Sequence, residues 1–438
     1  MAKLDMLMVY PNPSSDSPYG LTPLSILFPG AMFEEQGMSV DYHDCRWDKP
    51  GRLVELVDQA SQIATSAFTG YQAAHAAEIL INAKRQNPEI ITHLGGHHAR
   101  LCTKDVEAEW FVDKVWPNRS YGEHLFPYST KAKRLWKRGT VQYQTSSGCY
   151  FGCSFCALRT MWEPREQDRI DRELRTIHND VGFREVSFTD PNIGIQKYKQ
   201  NGEWKFKDRL QRIRAIGGTL NDLGVRWDGN IRSDYLTPEL VDVLAESGCY
   251  SLEIGCESGN EEFLRKVIHK GHGVESIKNA ARLVKGSGIS IMYSFIRGMP
   301  RESEEAKNDT MELIDWIVDT DPNARISMYQ YAPYPGGPAY QDAITGVAGY
   351  PLFKPPKTMA GWGKLKLMVS PAYWITGLLF RMDNTLKNFP GDDYKLIAPY
   401  IALARKQWDA RDIDNFPAEE VEALVAAQVA KNRKKEAA

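Results

Sequence analysis

Apolar runs and helical spacing alternate along roughly the first 125 residues. LMVYPNP (7–13) is an apolar run stopped by prolines, and 24–36 then carries apolar residues at helical spacing. SVDYHDC (39–45) alternates as a strand does, and 53–61 has the period of a helix. IATSAFTG (63–70) is apolar and ends in small residues, 73–87 is Ala-rich and helical, and IITHLGGHHA (90–99) reads as an apolar strand carrying paired glycines. Strands and helices taking turns in this way predict a doubly wound parallel sheet with right-handed crossovers. Ligands of such sheets sit beyond the carboxyl ends of the strands. Here those ends, 11–13, 66–70 and 95–98, are rich in small residues that let a large flat ligand approach the backbone.

A second series begins near 140. Strand patterns at 141–145, 185–189, 225–230, 251–255, 290–295 and 325–331 are separated by helical patterns at 169–180, 238–247, 276–286 and 303–320. Six βα units fall short of the eight of a closed barrel but follow its logic, with active groups at the carboxyl ends of the strands. After PYPGGP (333–338) the pattern changes to Pro and Gly breaks with aromatics, then to helices and a charged tail, KNRKKEAA. The expected organisation is an N-terminal α/β domain over 1–130, a partial (β/α)6 TIM-like barrel over 131–345 and a mainly helical cap over 346–438.

Composition narrows the classes. Hydrophobic residues make up 42% of 438 and charged residues 25%, an ordinary globular balance for two or three domains. Lys+Arg total 54 against Asp+Glu 56, so the chain lacks the basic excess of a nucleic-acid coat. Seven cysteines, an odd number spread over a long chain, argue against a disulfide scaffold. The opening apolar run is too short for a signal peptide, and no stretch approaches a bilayer span. The expectation is a reducing, cytoplasmic setting without stable membrane insertion and without a nucleic-acid partner.

The chemistry concentrates in SSGCYFGCSFC, which follows the first strand of the second series and holds Cys149, Cys153 and Cys156. Thiolates this close together suit zinc or iron–sulfur. A structural zinc site asks for four protein ligands, and no fourth Cys or His stands at finger or ribbon spacing. A redox pair of Cys153 and Cys156 leaves Cys149 unexplained, and three buried free cysteines are disfavoured because thiolates this close are costly unless something cationic binds them. A 4Fe-4S cluster held by three cysteines leaves one iron open for a ligand.

Around these cysteines, most of 140–345 resembles the radical S-adenosylmethionine (SAM) superfamily. Phe155 resembles the aromatic whose backbone contacts adenine. SFTDPN (187–192) and WDGNIRSD (227–234) resemble the second- and third-strand motifs, and SLEIGCESG (251–259) the G-x-E-S-G of the fourth, with Cys256 inserted. SFIRGMPRES (294–303) resembles the fifth-strand motif, and YAPYPGGPAY (331–340) the closing one, with Gly337 and Pro338 in place of Gly-Thr. The resemblance implies SAM chelating the open iron, Glu257 and Ser258 hydrogen-bonding its amino acid or ribose, Arg232 neutralising its carboxylate, and Asp190 and Gly298 lining its site. Each has a plainer alternative: Glu257, Arg232 and Asp190 as structural polar partners, Gly298 and Pro300 as a tight turn. Cys249 and Cys256 read most simply as small buried hydrophobes.

The N-terminal domain resembles the Rossmann-like cobalamin-binding domain of cobalamin-dependent radical SAM enzymes. The residues that carry this are 12–40, SAFTGYQ (66–72), LGGHHAR (94–100) and YGEH (121–124). It implies cobalamin contacts from Pro11, Ser66, Thr69, Gly95, Gly96 and His97. A different nucleotide is the alternative, although G-x-G-x-x-G is absent from the first turn. Asp41-x-His43 suggests a lower axial histidine, but Arg46 stands where the motif needs glycine. The better reading is a cobalt without a protein ligand below it and with Phe68, Thr69 or Tyr71 as neighbours.

Together these resemblances imply a methyltransferase. A deoxyadenosyl radical would take hydrogen from a carbon of a small-molecule substrate, which would then receive methyl from methylcobalamin. A flavodoxin or ferredoxin would supply electrons. The same cofactors also serve cyclisation, ring contraction or oxidation. A methylthiolating RNA enzyme fits less well, since only Cys45 and Cys102 precede the cluster motif and the tail reads as helical. A cobalamin carrier without catalysis would leave the cysteines idle. Tyr350, Phe353, Trp362, Tyr373, Trp374 and Phe380 either line a pocket for a flat substrate or form the core of the cap.

Overall fold

The structure, a computed structural model, describes residues 4–13, 20–116, 126–129, 131–138, 140–158, 160–200, 202–347, 350–365, 375, 378–380 and 394–436. YGEH (121–124), residues 14–19 of the first-strand loop, Tyr373 and Trp374 lie outside the described residues. The chain forms two compact units, each assembled from separate stretches. One comprises Met1–Tyr143, Asp168–Val186 and Lys354–Lys366, the other Gln144–Gln167, Ser187–Phe353 and Leu367–Ala438.

In the first unit, β1 (Leu4–Tyr10), β2 (Val40–Asp44), β3 (Ala60–Ser66), β4 (Ile91–Gly95) and β5 (Lys114–Val115) form a sheet in the order β2-β1-β3-β4-β5. Every pairing in it is parallel. The winding reverses between β1 and β3, and at such a switch point the chain opens a crevice beyond the strand ends. β1 is apolar almost throughout, as a strand covered on both faces must be. Helix α1 (Leu24–Glu35) follows β1, and Leu7, Val9 and Ile63 pack with Leu56 and Val57 of α2 (Pro50–Gln59) and with Ala76 and Leu80 of α3 (Tyr71–Gln86).

Two boundaries differ from the pattern. α2 stops at Gln59 and β3 starts at once, because Ala60 is already buried opposite Leu4. The run 90–99 is not all strand: β4 ends at Gly95 and a short helix, Gly96–Leu101, begins there. Gly96 makes the reversal, with φ +88° and no room for a Cβ, which would lie 2.6 Å from Ser66 Oγ.

The segment 354–366, read from sequence as part of the C-terminal cap, packs in the first unit. Trp362 is buried edge-on to His98, and a Cβ on Gly363 would meet the Ala74 Cβ of α3 at 2.2 Å. Trp362 is thus core rather than pocket wall.

The second series yields all six expected strands: β6 (Val141–Tyr143), β9 (Glu185–Phe188), β12 (Arg226–Asn230), β13 (Cys249–Glu257), β14 (Ser290–Arg297) and β15 (Arg325–Gln330). Within the second unit β12 to β15 pair in parallel, each with its sequence neighbour. Helices Pro238–Glu246, Val274–Val284 and Glu304–Thr320 connect them, capped where the sequence offers caps. Thr237 and Ser303 accept the backbone N–H groups of Leu240 and Ala306, and Pro238 fills the first helical position. Two hairpins that the pattern did not suggest interrupt the series. β7 (Ser146–Cys149) pairs antiparallel with β8 (Thr160–Pro164), and β10 (Lys197–Gln200) with β11 (Glu203–Phe206). Beyond Gly346 the described elements are helical, and Phe380 lies edge-on against buried Trp408 at 5.0 Å between ring centres. These two aromatics are core.

Candidate functional site

The cysteine loop of the second unit is held from several sides. Gly148, with φ +79°, turns the chain into the loop, and a Cβ there would lie 1.9 Å from the carbonyl of Met161 on β8. Within the loop the N–H of Ser154 donates to the carbonyl of Ile268 at 2.8 Å. The Ser154 carbonyl accepts from Ala339 at 3.0 Å. Gly337 presses on the same loop, since a Cβ would come within 2.4 Å of Ser154 O and 3.1 Å of Phe155 C. The closing Tyr-Pro-Gly-Gly motif thus clamps the cysteine loop, which is the physical need for its glycine. Cys149 and Cys156 are half-buried, Cys153 is buried, and all seven cysteines are free thiols.

Burial pushes the Cys149 and Cys153 thiols up, while the nearby charges of Lys270 and Arg232 pull them down. Thiols in such surroundings ionise when they meet a metal charge large enough to offset desolvation. Among the described residues no three His, Cys, Asp or Glu side chains converge on one ion position. A 4Fe-4S cluster does not need that, because its three protein-bound irons take one thiolate each. The donor set, its clamped backbone and its cationic surroundings fit such a cluster.

Asp190, fully buried, organises the approach to the loop rather than standing open to a ligand. Its carboxylate accepts from the Thr145 N–H at 2.9 Å and Thr145 Oγ1 at 2.6 Å, from Ser146 Oγ, and from Arg212 at 3.3 Å. Arg232 stacks over the Phe151 ring at 3.9 Å, binds Asp234 through two nitrogens at 2.9 Å each and donates to the Lys270 carbonyl at 2.7 Å.

Glu257 ends β13 in a left-handed conformation, φ 68°, at a register shift in the β13–β14 ladder. Its buried carboxylate meets Lys270 Nζ at 2.6 Å. A Cβ on Gly255 would fall 2.4 Å from Glu257 Oε1 and 2.8 Å from Lys270 Nζ, so the first glycine of the motif makes room for this pair. The last one, Gly259, lets the chain pass Asp309 O, which a Cβ would approach to 2.3 Å. Ser258 is fully buried and shares its hydroxyl with Thr310 at 3.1 Å. Gly298, φ +77°, donates to Glu302, and a Cβ there would collide with the Gln330 amide. Phe155 is half-buried, its ring 6.0 Å from Lys270 Nζ.

Lys270 is the site residue that sequence reasoning missed. It stands thirteen positions after Glu257, past an irregular turn, with no periodic relation to any motif. Glu302 was also missed as a titrating group. Burial raises its carboxyl from the ordinary 4.5 to about 7. The folded state therefore holds this proton more tightly than the unfolded chain, and stability contributed by the group is lost as pH rises from 4.5 to about 7. Glu302→Gln is expected to flatten that slope. Urea unfolding at about pH 5 and about pH 8 should show the wild type losing more stability across the interval than the variant.

In the first unit the strand-end residues gather at the β1/β3 switch point. Pro11 is buried, and its carbonyl accepts from Gln72, whose Oε1 accepts the Phe68 N–H. Thr69 is buried against His98 Nδ1 at 3.1 Å, whereas Phe68 is 63% exposed and Tyr71 38%. The Phe68 ring lies beside half-buried His97 at 5.5 Å between centres, and His97 contacts Arg100. Of the three expected lower-face neighbours, Thr69 turns inward and the two aromatics face out. Ser66 is buried under Gly96. Asn12 Oδ1 and Thr65 Oγ1 are buried with no hydrogen-bond partner among the described residues. Such orphaned acceptors beside an exposed ring and a glycine turn fit a large, flat ligand with amide-bearing side chains. His43 is buried in β2, 3.9 Å from Asp48, and desolvation lowers it to about 4.

The family model for the Radical SAM superfamily matches residues 143–314, and that for the B12 binding domain matches 15–124. The bacteriochlorophyllide d C-12(1)-methyltransferase of Chlorobaculum tepidum is 28% identical over 227 residues, 49% of this chain and 44% of that protein. The anaerobic magnesium-protoporphyrin IX monomethyl ester cyclase of Rubrivivax gelatinosus is 27% identical over 203 residues, 44% of this chain and 33% of that protein. The chain thus spans less than half the length of these curated relatives. Among solved structures, the radical SAM methyltransferase TsrM from Kitasatospora setae, with cobalamin and a 4Fe-4S cluster bound, superposes with a TM-score of 0.60. It is 18% identical and the match covers 83% of this chain and 81% of that one, which shows a shared fold.

Proposed function

We propose, from a B12 binding domain match preceding a Radical SAM superfamily match, that the chain is a cobalamin-dependent radical SAM enzyme and that it methylates a carbon of a small-molecule substrate. The observation that carries the enzymatic reading is the clamped loop bearing Cys149, Cys153 and Cys156 beside Lys270 and Arg232. A carrier of cobalamin would have no use for it. In this reading the three thiolates hold a 4Fe-4S cluster, and Phe155, Arg232, Glu257 and Gly298 hold SAM. Pro11, Ser66, Thr69, Gly95, Gly96 and His97 hold cobalamin. When bound, these groups supply one-electron cleavage of SAM and a methyl group for transfer.

The chain's own residues position and shield. Lys270 pairs with the Glu257 carboxylate and fixes it, so it presents one orientation of its free oxygen. Asp190 locks Thr145 and Ser146, which sets where Cys149 emerges from β7. Thr310 anchors Ser258 and so fixes the bend after Glu257. The methyltransferase relative supports transfer of methyl, and the cyclase relative supports the second reading, in which the same cofactors close or oxidise a ring. Anaerobic incubation of reconstituted protein with methyl-labelled SAM separates them. Label is expected in a small-molecule product by mass spectrometry. Deoxyadenosine release without label in any product would sink methyl transfer and leave ring chemistry.

A further inference from the structure

The β10–β11 hairpin has two unlike faces. Lys197 pairs with Phe206 and Lys199 with Trp204, so these four side chains share one face, while Tyr198, Lys205, Gln200 and Glu203 share the other. The second face is anchored at Tyr198, which meets the buried ring of Trp162 on β8 at 5.9 Å and 78°, while its Gln200, Glu203 and Lys205 are exposed. The first is open, with Trp204 58% and Phe206 62% exposed and both lysines exposed. It carries two positive charges and no acid, on a chain whose net charge is −2. The lysine of its centre already lies over an aromatic, Lys199 Nζ 5.2 Å from the Trp204 ring.

Lysines on a hairpin edge are explained by blocking strand-to-strand association. Two large aromatics beside them are not, since they add the apolar surface that such blocking avoids. Exposed aromatics ringed by one sign of charge are the composition of a protein-docking surface. Position gives the partner. β8, on which the hairpin rests, pairs with β7, and Thr160 of β8 stands opposite Cys149. One aromatic contact and one strand pair therefore separate the open face from a cluster ligand.

We propose that the Lys197, Lys199, Trp204 and Phe206 face docks an acidic one-electron carrier protein, of the flavodoxin or ferredoxin class, that reduces the cluster. This rests on the reading that the three cysteines hold a redox cluster. One electron leaves the reduced carrier and enters the cluster, the carrier being oxidised by one and the cluster reduced by one, with no bond made or broken.

Two variants of the reconstituted holoprotein test it: K197E with K199E, and W204S with F206S. Binding of oxidised flavodoxin and of oxidised ferredoxin is measured at low and high salt, and cluster bleaching is followed with reduced carrier and, separately, with dithionite. At low salt each variant is expected to bind the carrier about tenfold more weakly or worse, and the charge variant to lose salt dependence. Bleaching by dithionite, which needs no docking, should match wild type. Unchanged carrier binding in both variants overturns the proposal, as does failure of wild type to bind either carrier. Loss of dithionite bleaching in both variants also overturns it, by showing that the hairpin merely supports the cysteine loop. A self-association sensitive to these changes, in place of carrier binding, assigns the face to a second copy. If wild type itself shows no dithionite-sensitive cluster, the functional reading fails, while carrier binding still decides the surface.

Discussion

Replacing Cys149, Cys153 or Cys156 by alanine, one at a time, is expected to reduce bound iron from about four per chain toward zero and SAM cleavage to background. In the proposed reading each of the three supplies a ligand that no neighbour can replace, because no fourth thiol shares the loop. Cys249 and Cys256 provide the contrast. Both are buried in β13, where desolvation raises their thiols well above the ordinary 9.0 and keeps them protonated. Cys249→Ala and Cys256→Ala should retain the iron content and visible absorbance of wild type. Iron analysis and absorbance after anaerobic reconstitution make the comparison. A single cysteine variant of the loop that keeps a full cluster would remove the basis of the enzymatic reading.

The second large effect is expected at Lys270. Lys270→Met would leave the Glu257 carboxylate buried in a left-handed turn without its cation, a loss of about 3–5 kcal/mol. Glu257→Gln alone should cost less, because an amide oxygen still accepts from Lys270, although the ammonium then loses its counter-charge. The double variant is expected to recover much of the Lys270→Met loss, since no uncompensated charge remains. Urea-unfolding midpoints of the four proteins close the cycle. Additive losses would mean that the pair observed at 2.6 Å is not coupled, and that Glu257 is held by its backbone alone.

The legibility of this chain followed the range of the interactions. Apolar alternation revealed both series of strands, because burial of a strand or a helix face leaves its period in the sequence. It overran at 96–99, where His97 and His98 sit in a helix. The cause is the turn at Gly96, which is set by the Ser66 side chain thirty residues earlier in the chain. The pattern also passed over 197–206, since every paired residue of that hairpin but Tyr198 is exposed and so little burial leaves no period to show. The three cysteines were legible as a group because they stand within one short loop.

Glu257, Arg232 and Asp190 were legible as conspicuous polar residues at strand ends, but not in what they touch. Asp190 turned out to be saturated by Thr145, Ser146 and Arg212, and Arg232 to be fastened to Asp234 and the Lys270 carbonyl. Those partners come from other strands and turns, and pairing at such distance leaves no periodic trace. By itself the sequence determined the fold class and the place of the thiol-bearing loop, both of which rest on local propensity and spacing. Only the tertiary structure decided that Lys270 completes the Glu257 site, that Gly337 clamps the cysteine loop and that 354–366 belongs with the first unit. Each of these depends on a side chain or backbone atom brought close by the packing of distant segments, which only folding supplies.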